Sequence, residues 1–439
     1  MDEWLRATAA DLGRGIEKGR IDPVDLTEAH LSAIDAHAHK DRIYARVTAD
    51  LARAQAKAAS DRAKAGVRRS PLDGVPISWK DLFDTAGIVT EAGSALLKDR
   101  IPDRDAVVLQ NAVAAGTVCL GKTHMSELAF SGLGYNPVTA TPPNVNDEAG
   151  APGGSSSGAA TSVAFGLAAA GIGSDTGGSV RLPAAWNDQV GLKTRPGRLS
   201  LQGVVPLAVR FDTVGPLCRT VEDAALLLAV LENGKPADLS GATLKGARLL
   251  SLDTARDGEE DGPRAAFEDA VSRLTAAGAV VETAHLPEVA EALEMSALLL
   301  STEAYATWRD KIEAAPERMF AEVRARFRAG RDFSGADYVA GWQKLDRLRD
   351  TYARNIAAYD AVILPTSPIL PPNVARLATD SDYYRDMNLA ALRNTRIGNL
   401  MGLAGLTLPT SRPSCGILFQ GPSEECLLRL GSAAESALS

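Results

Sequence analysis

Apolar residues recur at helical spacing, with Ala, Glu and Lys between them, through residues 5–19, 23–41 and 49–66. That period predicts a helical N-terminal region. The pattern then changes. "PLDGVPISWKDLFD" (71–84) is a turn followed by a short β-leaning run that ends at Lys80. Residues 104–117 read as a helix and "TVCLG" (117–121) as a strand, while 141–158 are a Pro-, Asn- and Gly-rich loop. "SGAATSVAFGLAAAG" (157–171) is a helix of small residues, and "AGIGSDTGGSVRLPAA" (170–185) is a strand, a glycine-rich turn and a new start. Residues 220–232 form another helix, with Thr220 as its N-cap.

Further along, strands at 247–253 and 279–286 flank a helix at 263–278. Residues 301–360 are mostly helical, 359–372 hold an apolar strand closed by prolines, and 395–410 pass from helix to strand. Strands alternating with helices, with no linker-like break, predict an α/β fold: one large domain over 1–439, its mixed β-sheet core covered by helices on both faces.

Bulk properties narrow the class. The 439 residues are 45% hydrophobic and 23% charged, as in an ordinary globular protein. A net charge of -8 argues against a general nucleic-acid or anionic-membrane binder. The longest strongly apolar run, "AALLLAVL" (224–231), is far too short to span a bilayer. Four cysteines without CxxC spacing fit free thiols in a reducing compartment, and the N-terminal stretch has no signal-peptide pattern, so a cytoplasmic protein is expected.

Two patterns invite chemistry and are set aside. "GTVCLGKT" (116–123) matches a phosphate-binding loop, but its four variable residues are β-leaning and should form the strand itself, with Gly121 and Lys122 after it. His37 and His39, two apart on a helix, face different ways, so no metal site is expected.

The remaining candidates converge. "GGSSSG" (153–158) precedes the small-residue helix, and 24 residues beyond Ser155 comes Ser179 behind "TGG". A helix and a strand returning on each other bring the two glycine-rich turns to one end of the sheet. A serine there sits beside exposed backbone N–H groups, as an oxyanion hole requires. A serine hydroxyl needs a base. Of five histidines only His124 is near in sequence; the alternative is a desolvated lysine, Lys80, which follows an apolar run. Each residue alone has a plain reading as well: a capping serine, a solvated lysine.

Together, "GVPISWKD", "GKTHMSELAFSG", "PGGSSSGAA" and "GSDTGGSVRLPAA" closely resemble the amidase signature family. The resemblance is strong over 70–220, which it marks as the catalytic core segment. It is weaker at 361–372 and 399–409, and leaves 235–355 as a divergent segment that shapes the pocket. It implies Ser179 as nucleophile, Ser155 as a bridging serine on a cis peptide after Gly154, and Lys80 as the final base. Backbone N–H groups of Thr176, Gly177, Gly178 and Ser179 would form the oxyanion hole. Ser156 and Ser157 would cap the following helix, and Asp175 and Arg181 would pair to brace the turn.

The implied activity is hydrolysis of a small carboxamide or urea-like amide through an acyl-enzyme, without metal or organic cofactor and faster toward alkaline pH. The runner-up is the glutaminase component of a tRNA-dependent amidotransferase, which acts within a complex. The long loop 132–154 and the chain length favour the free-standing enzyme. Substrate contacts are expected from 125–145, beginning at Met125 and Ser126, and from 290–400; Arg309, Arg393 and Arg396 are candidates to meet a carboxylate. Local departures from the family pattern are His124, the stretch "GLKTRPGRLS" and Ala404, none at an implied catalytic group. Homodimerisation is left open.

Overall fold

The computed structural model describes residues 2–438. Eleven strands among them form one mixed sheet. In chain order they are β1 (Tyr44–Val47), β2 (Pro76–Lys80), β3 (Val118–Thr123), β4 (Ala170–Asp175), β5 (Val190–Lys193) and β6 (Thr213–Cys218). Then come β7 (Arg248–Leu252), β8 (Val280–Ala284), β9 (Ala361–Pro365), β10 (Ala404–Pro409) and β11 (Gly416–Gly421). Their order across the sheet is β1-β3-β2-β4-β6-β5-β10-β11-β9-β7-β8.

Every residue of β2 through β6 is buried, whichever face it points to. Helices therefore cover both faces, and these strands read as runs rather than alternations. The edge strand β8 is exposed or half-exposed throughout and carries Glu282 and Thr283, which discourages pairing with another chain. One hydrophobic core runs from Ala9 to Leu438 and takes in residues 249–356, so the divergent segment belongs to the same single domain.

Several local expectations shift. Helix 104–117 is shorter, Val107–Ala114. The small-residue helix ends at Ala164, giving way to a turn before β4. β3 continues through Gly121 and Lys122 rather than stopping before them. Lys122 is buried there, donating to Phe83 O (2.6 Å) and Thr90 Oγ1 (2.9 Å), so the motif offers no phosphate cradle. Helix Pro23–Ala36 ends before His37, so the two histidines lie beyond it rather than on it.

Candidate active site

β2 pairs in parallel with β4, placing the C-terminal ends of both strands together. Lys80 closes β2 and Ser174–Asp175 close β4. Side chains alternate along a strand, so Lys80 shares a face with Ser78. Ser78 Oγ meets Ser162 Oγ at 2.8 Å on helix Ser157–Ala164. Lys80 thus points to the side of the sheet where that helix begins.

The start of the helix is held against β4. Ser156 Oγ donates to Ser174 O (3.2 Å) and accepts from Ser174 N–H (3.3 Å). Ser156 N–H donates to Ser179 O at 3.2 Å. A Cβ on Gly173 would lie 2.6 Å from Ser156 Oγ, so glycine is what permits the approach. Ser156 occupies the N-cap position but does not cap through its side chain, and Ser157 Oγ donates to His124 O (3.4 Å). Both serines therefore tie neighbouring backbone segments together instead of capping. Residues 151–160 are buried, so "GGSSSG" is fixed in place rather than a tether. The Gly154–Ser155 peptide is cis.

Lys80 Nζ donates to Ser155 Oγ at 2.7 Å and to Ser174 Oγ at 2.9 Å. It is fully buried, and burial pushes its amine down to about 7 against the opposing pull of Asp175 and Asp212. Ser174 belongs to no motif in the sequence; only its place on the lysine-facing side of β4 marks it. His124 is pushed down to about 4 by burial, and among the described residues its ring hydrogen-bonds to neither Ser155 nor Ser179.

Asp175, on the opposite face of β4, organises the turn that follows. Its carboxylate accepts from Gly178 N–H (2.8 Å), Val180 N–H (3.1 Å) and Asn399 Nδ2 (2.9 Å). Arg181 forks onto it at 3.0 and 2.9 Å. Burial alone would raise this carboxyl; Arg181 holds it well below the usual range. Arg181 is itself spent on Asp175, Thr395 O (2.7 Å) and Asn399 Oδ1 (2.6 Å), so it is not free to meet a substrate. Thr176 Oγ1 donates to buried Asp212 at 2.5 Å, and Thr395 Oγ1 donates to Gly177 O at 2.8 Å.

The N–H of Gly178 is thereby committed to Asp175, which removes it from the four expected oxyanion donors. The N–H groups of Thr176, Gly177 and Ser179 find no acceptor among the described residues. Ser155 and Ser179 are linked through backbone, and their hydroxyls are not hydrogen-bonded to each other.

Ser179, Thr176 and Gly177 line a narrow cavity of about 30 Å³. It shares Phe130, Leu300, Arg326 and Arg396 with a wider cavity of about 410 Å³. Met125 and Ser126 do not line either one. Met125 is packed in the main core and Ser126 lies buried behind the Ser155 carbonyl, to which its N–H donates at 3.1 Å. The lining starts at Ala129 instead, because the chain turns there through left-handed Leu128 and Ala129.

Of the three arginines singled out, Arg309 is exposed beside Asp310, and Arg393 donates to the carbonyls of Asp257 and Ala255. Only Arg396 reaches the cleft. Arg326, unremarked in the sequence, joins it there.

The amidase family model matches residues 25–417. The chain belongs to the amidase signature family. It is 34% identical to the glutaminase-type component, the A chain, of a glutamyl-tRNA(Gln) amidotransferase from Anaeromyxobacter sp. (strain K), over 94% of this chain and 90% of that one. It is 36% identical to a 2-amino-5-chloromuconic acid deaminase from Comamonas testosteroni, over 94% and 93%. A crystal structure of an amidase superimposes with a TM-score of 0.89 at 30% identity, covering 99% of this chain and 100% of that one. Family membership makes the protein a hydrolase of amide C–N bonds. Among the described residues no helix is long and apolar enough to cross a membrane.

Proposed function

We propose that the protein is a free-standing, cytoplasmic amidohydrolase that cleaves a small carboxamide through an acyl-enzyme on Ser179. The observation that carries this reading is a buried lysine, its amine neutral near pH 7, bonded to Ser155 beside a turn whose N–H groups are unspent.

In this reading neutral Lys80 takes a proton from Ser155 as Ser155 takes one from Ser179. The Ser155–Ser179 hydroxyl contact closes when substrate binds, since catalytic hydrogen bonds commonly tighten in the complex. Ser179 Oγ bonds to the carboxamide carbon, and the N–H groups of Thr176, Gly177 and Ser179 hold the resulting oxyanion. The C–N bond breaks as the proton returns along the relay to the departing amine. Water then attacks the ester, giving the acid and free Ser179. Asp175 and Arg181 act as positioning residues by fixing the turn. The 70–220 segment supplies this machinery; 235–355 supplies much of the cleft wall, including Leu300 and Arg326.

A second reading, a glutaminase that passes ammonia to a partner within a complex, draws support from the Anaeromyxobacter relative. A screen of amides by ammonia release, with Ser179→Ala as control, separates the two. A simple amide outperforming glutamine, with the chain purifying alone, supports the free-standing enzyme. Glutamine as best substrate with a co-purifying partner reverses the choice.

A further inference from the structure

The cleft wall carries two cations without counter-ions. Arg396 is only 8% exposed, and its guanidinium makes no hydrogen bond and no ion pair with any described residue; Nη2 is fully enclosed and unpartnered. Arg326 spends Nη1 on Phe130 O (2.7 Å) and lies over the Phe130 ring at 4.4 Å, again with no carboxylate partner. Glu322 is the one carboxylate on the same wall. It accepts from Ser381 Oγ at 2.7 Å and forms no ion pair with either arginine. Arg385, on the outer wall, is already paired with Asp382 at 2.9 Å. Buried Arg181 behaves differently, being bidentate to Asp175.

A buried guanidinium left without an acceptor is expensive, and its planar fork matches a carboxylate. Both arginines line the narrow cavity that contains Ser179 and the wider cavity beyond it. An anion seated on them lies in the same cleft as the scissile amide. We infer that the substrate is an amide that also carries a carboxylate, and that Arg396, assisted by Arg326, binds that carboxylate. This rests on the amidohydrolase reading and adds the substrate class to it. The apolar remainder of the wall, Phe130, Leu300 and Leu389, suits a short carbon skeleton between the two polar ends.

The test is calorimetric binding to the Ser179→Ala protein, which does not depend on turnover. The probes are monoamides of two- to six-carbon dicarboxylic acids, oxamate to adipamate, each paired with its neutral methyl ester. At least one acid should bind about 30-fold or more tightly than its ester, the scale expected when a buried charge pair is formed or lost. Arg396→Met should abolish the difference and Arg396→Lys should restore part of it. Melting temperatures guard against misfolding: without ligand, Arg396→Met should melt no lower than its parent, because it removes an unpaired buried charge.

If no acid outbinds its ester, or if Arg396→Met leaves the preference intact, the inference is overturned. The amidohydrolase reading fails by a different sign: no Ser179-dependent amide cleavage by the otherwise intact enzyme.

Discussion

Lys80 Nζ and Ser155 Oγ stand 2.7 Å apart across 75 positions of sequence. Two devices produce that contact. Parallel pairing of β2 with β4 sets the height of the lysine. Gly173 lets the helix that starts after Ser155 lie against β4. The amine enters as a donor in this geometry, and burial has already brought its proton close to leaving at neutral pH.

Activity should therefore follow the free amine. Below about pH 7 kcat/KM is expected to rise nearly tenfold per pH unit and then level off. Lys80→Met should lower it by roughly a hundred- to ten-thousandfold, as loss of a positioned base does. Steady-state rates from pH 5 to 9 check both. A wild-type profile flat through pH 7 would remove the lysine from its role.

The same burial has a consequence for folding. Unfolded, Lys80 keeps its proton up to the ordinary lysine value of 10.5; folded, it loses it near 7. Between those values the unfolded chain binds the extra proton, so this group's penalty is full below pH 7 and fades as pH rises, by about 1.4 kcal/mol per unit. The stability difference between wild type and Lys80→Met should therefore move in favour of wild type from pH 7 to pH 10. Urea unfolding at three pH values measures it. A constant difference would mean that the amine is not held neutral.

Asp175 should be the structural keystone of the turn. Asp175→Asn leaves Arg181 buried without its carboxylate and should cost about 3–5 kcal/mol, the usual result of breaking a buried pair. Because the folded carboxyl sits below its unfolded value, the stability it contributes is present at neutral pH and is lost as acid approaches and passes 3.8. Thermal melts of wild type and variant at pH 7 and pH 4 check this; an Asn variant as stable as wild type at pH 7 would count against it.

Two adjacent glycines should behave differently. Gly178 has φ +137°, and a Cβ there would run into Thr395, which also holds the Gly177 carbonyl. At Gly177 a Cβ meets nothing within 4 Å. Gly178→Ala should lower both stability and activity. Gly177→Ala should keep the wild-type melting temperature and change kinetics alone. Equal destabilisation by both would contradict this geometry of the turn.

Much of the site is legible in the sequence, for physical reasons. Glycine and serine in two turns flanking one helix–strand unit, plus a lysine ending an apolar run, specify a site because each residue type is demanded by backbone approach or by proton transfer. Strand β6 is not legible: "TVGPLC" places Pro216 inside a central strand, where a lost N–H argues against pairing. β5 is only four residues long and β1 is short and edge-on. Ser174 is hidden because its importance lies in strand parity, not in a motif. Met125 and Ser126 lie too early in the chain to reach the cleft, since the left-handed turn at Leu128 and Ala129 has no glycine to announce it. Arg326 escapes notice as one of several arginines on a helix whose buried face only tertiary packing selects.

The central claim is that Lys80, Ser155 and Ser179 act as one relay driven by a neutral amine. The most direct measurement is the rate at which a sulfonyl fluoride modifies the protein, followed by intact mass and peptide mapping from pH 5 to 9. The account predicts a single adduct on Ser179, a rate that climbs to a plateau with its midpoint at about pH 7, and near-complete loss of labelling in Lys80→Met. An adduct on another residue, or labelling of Ser179 at the same rate with and without the lysine, would contradict it.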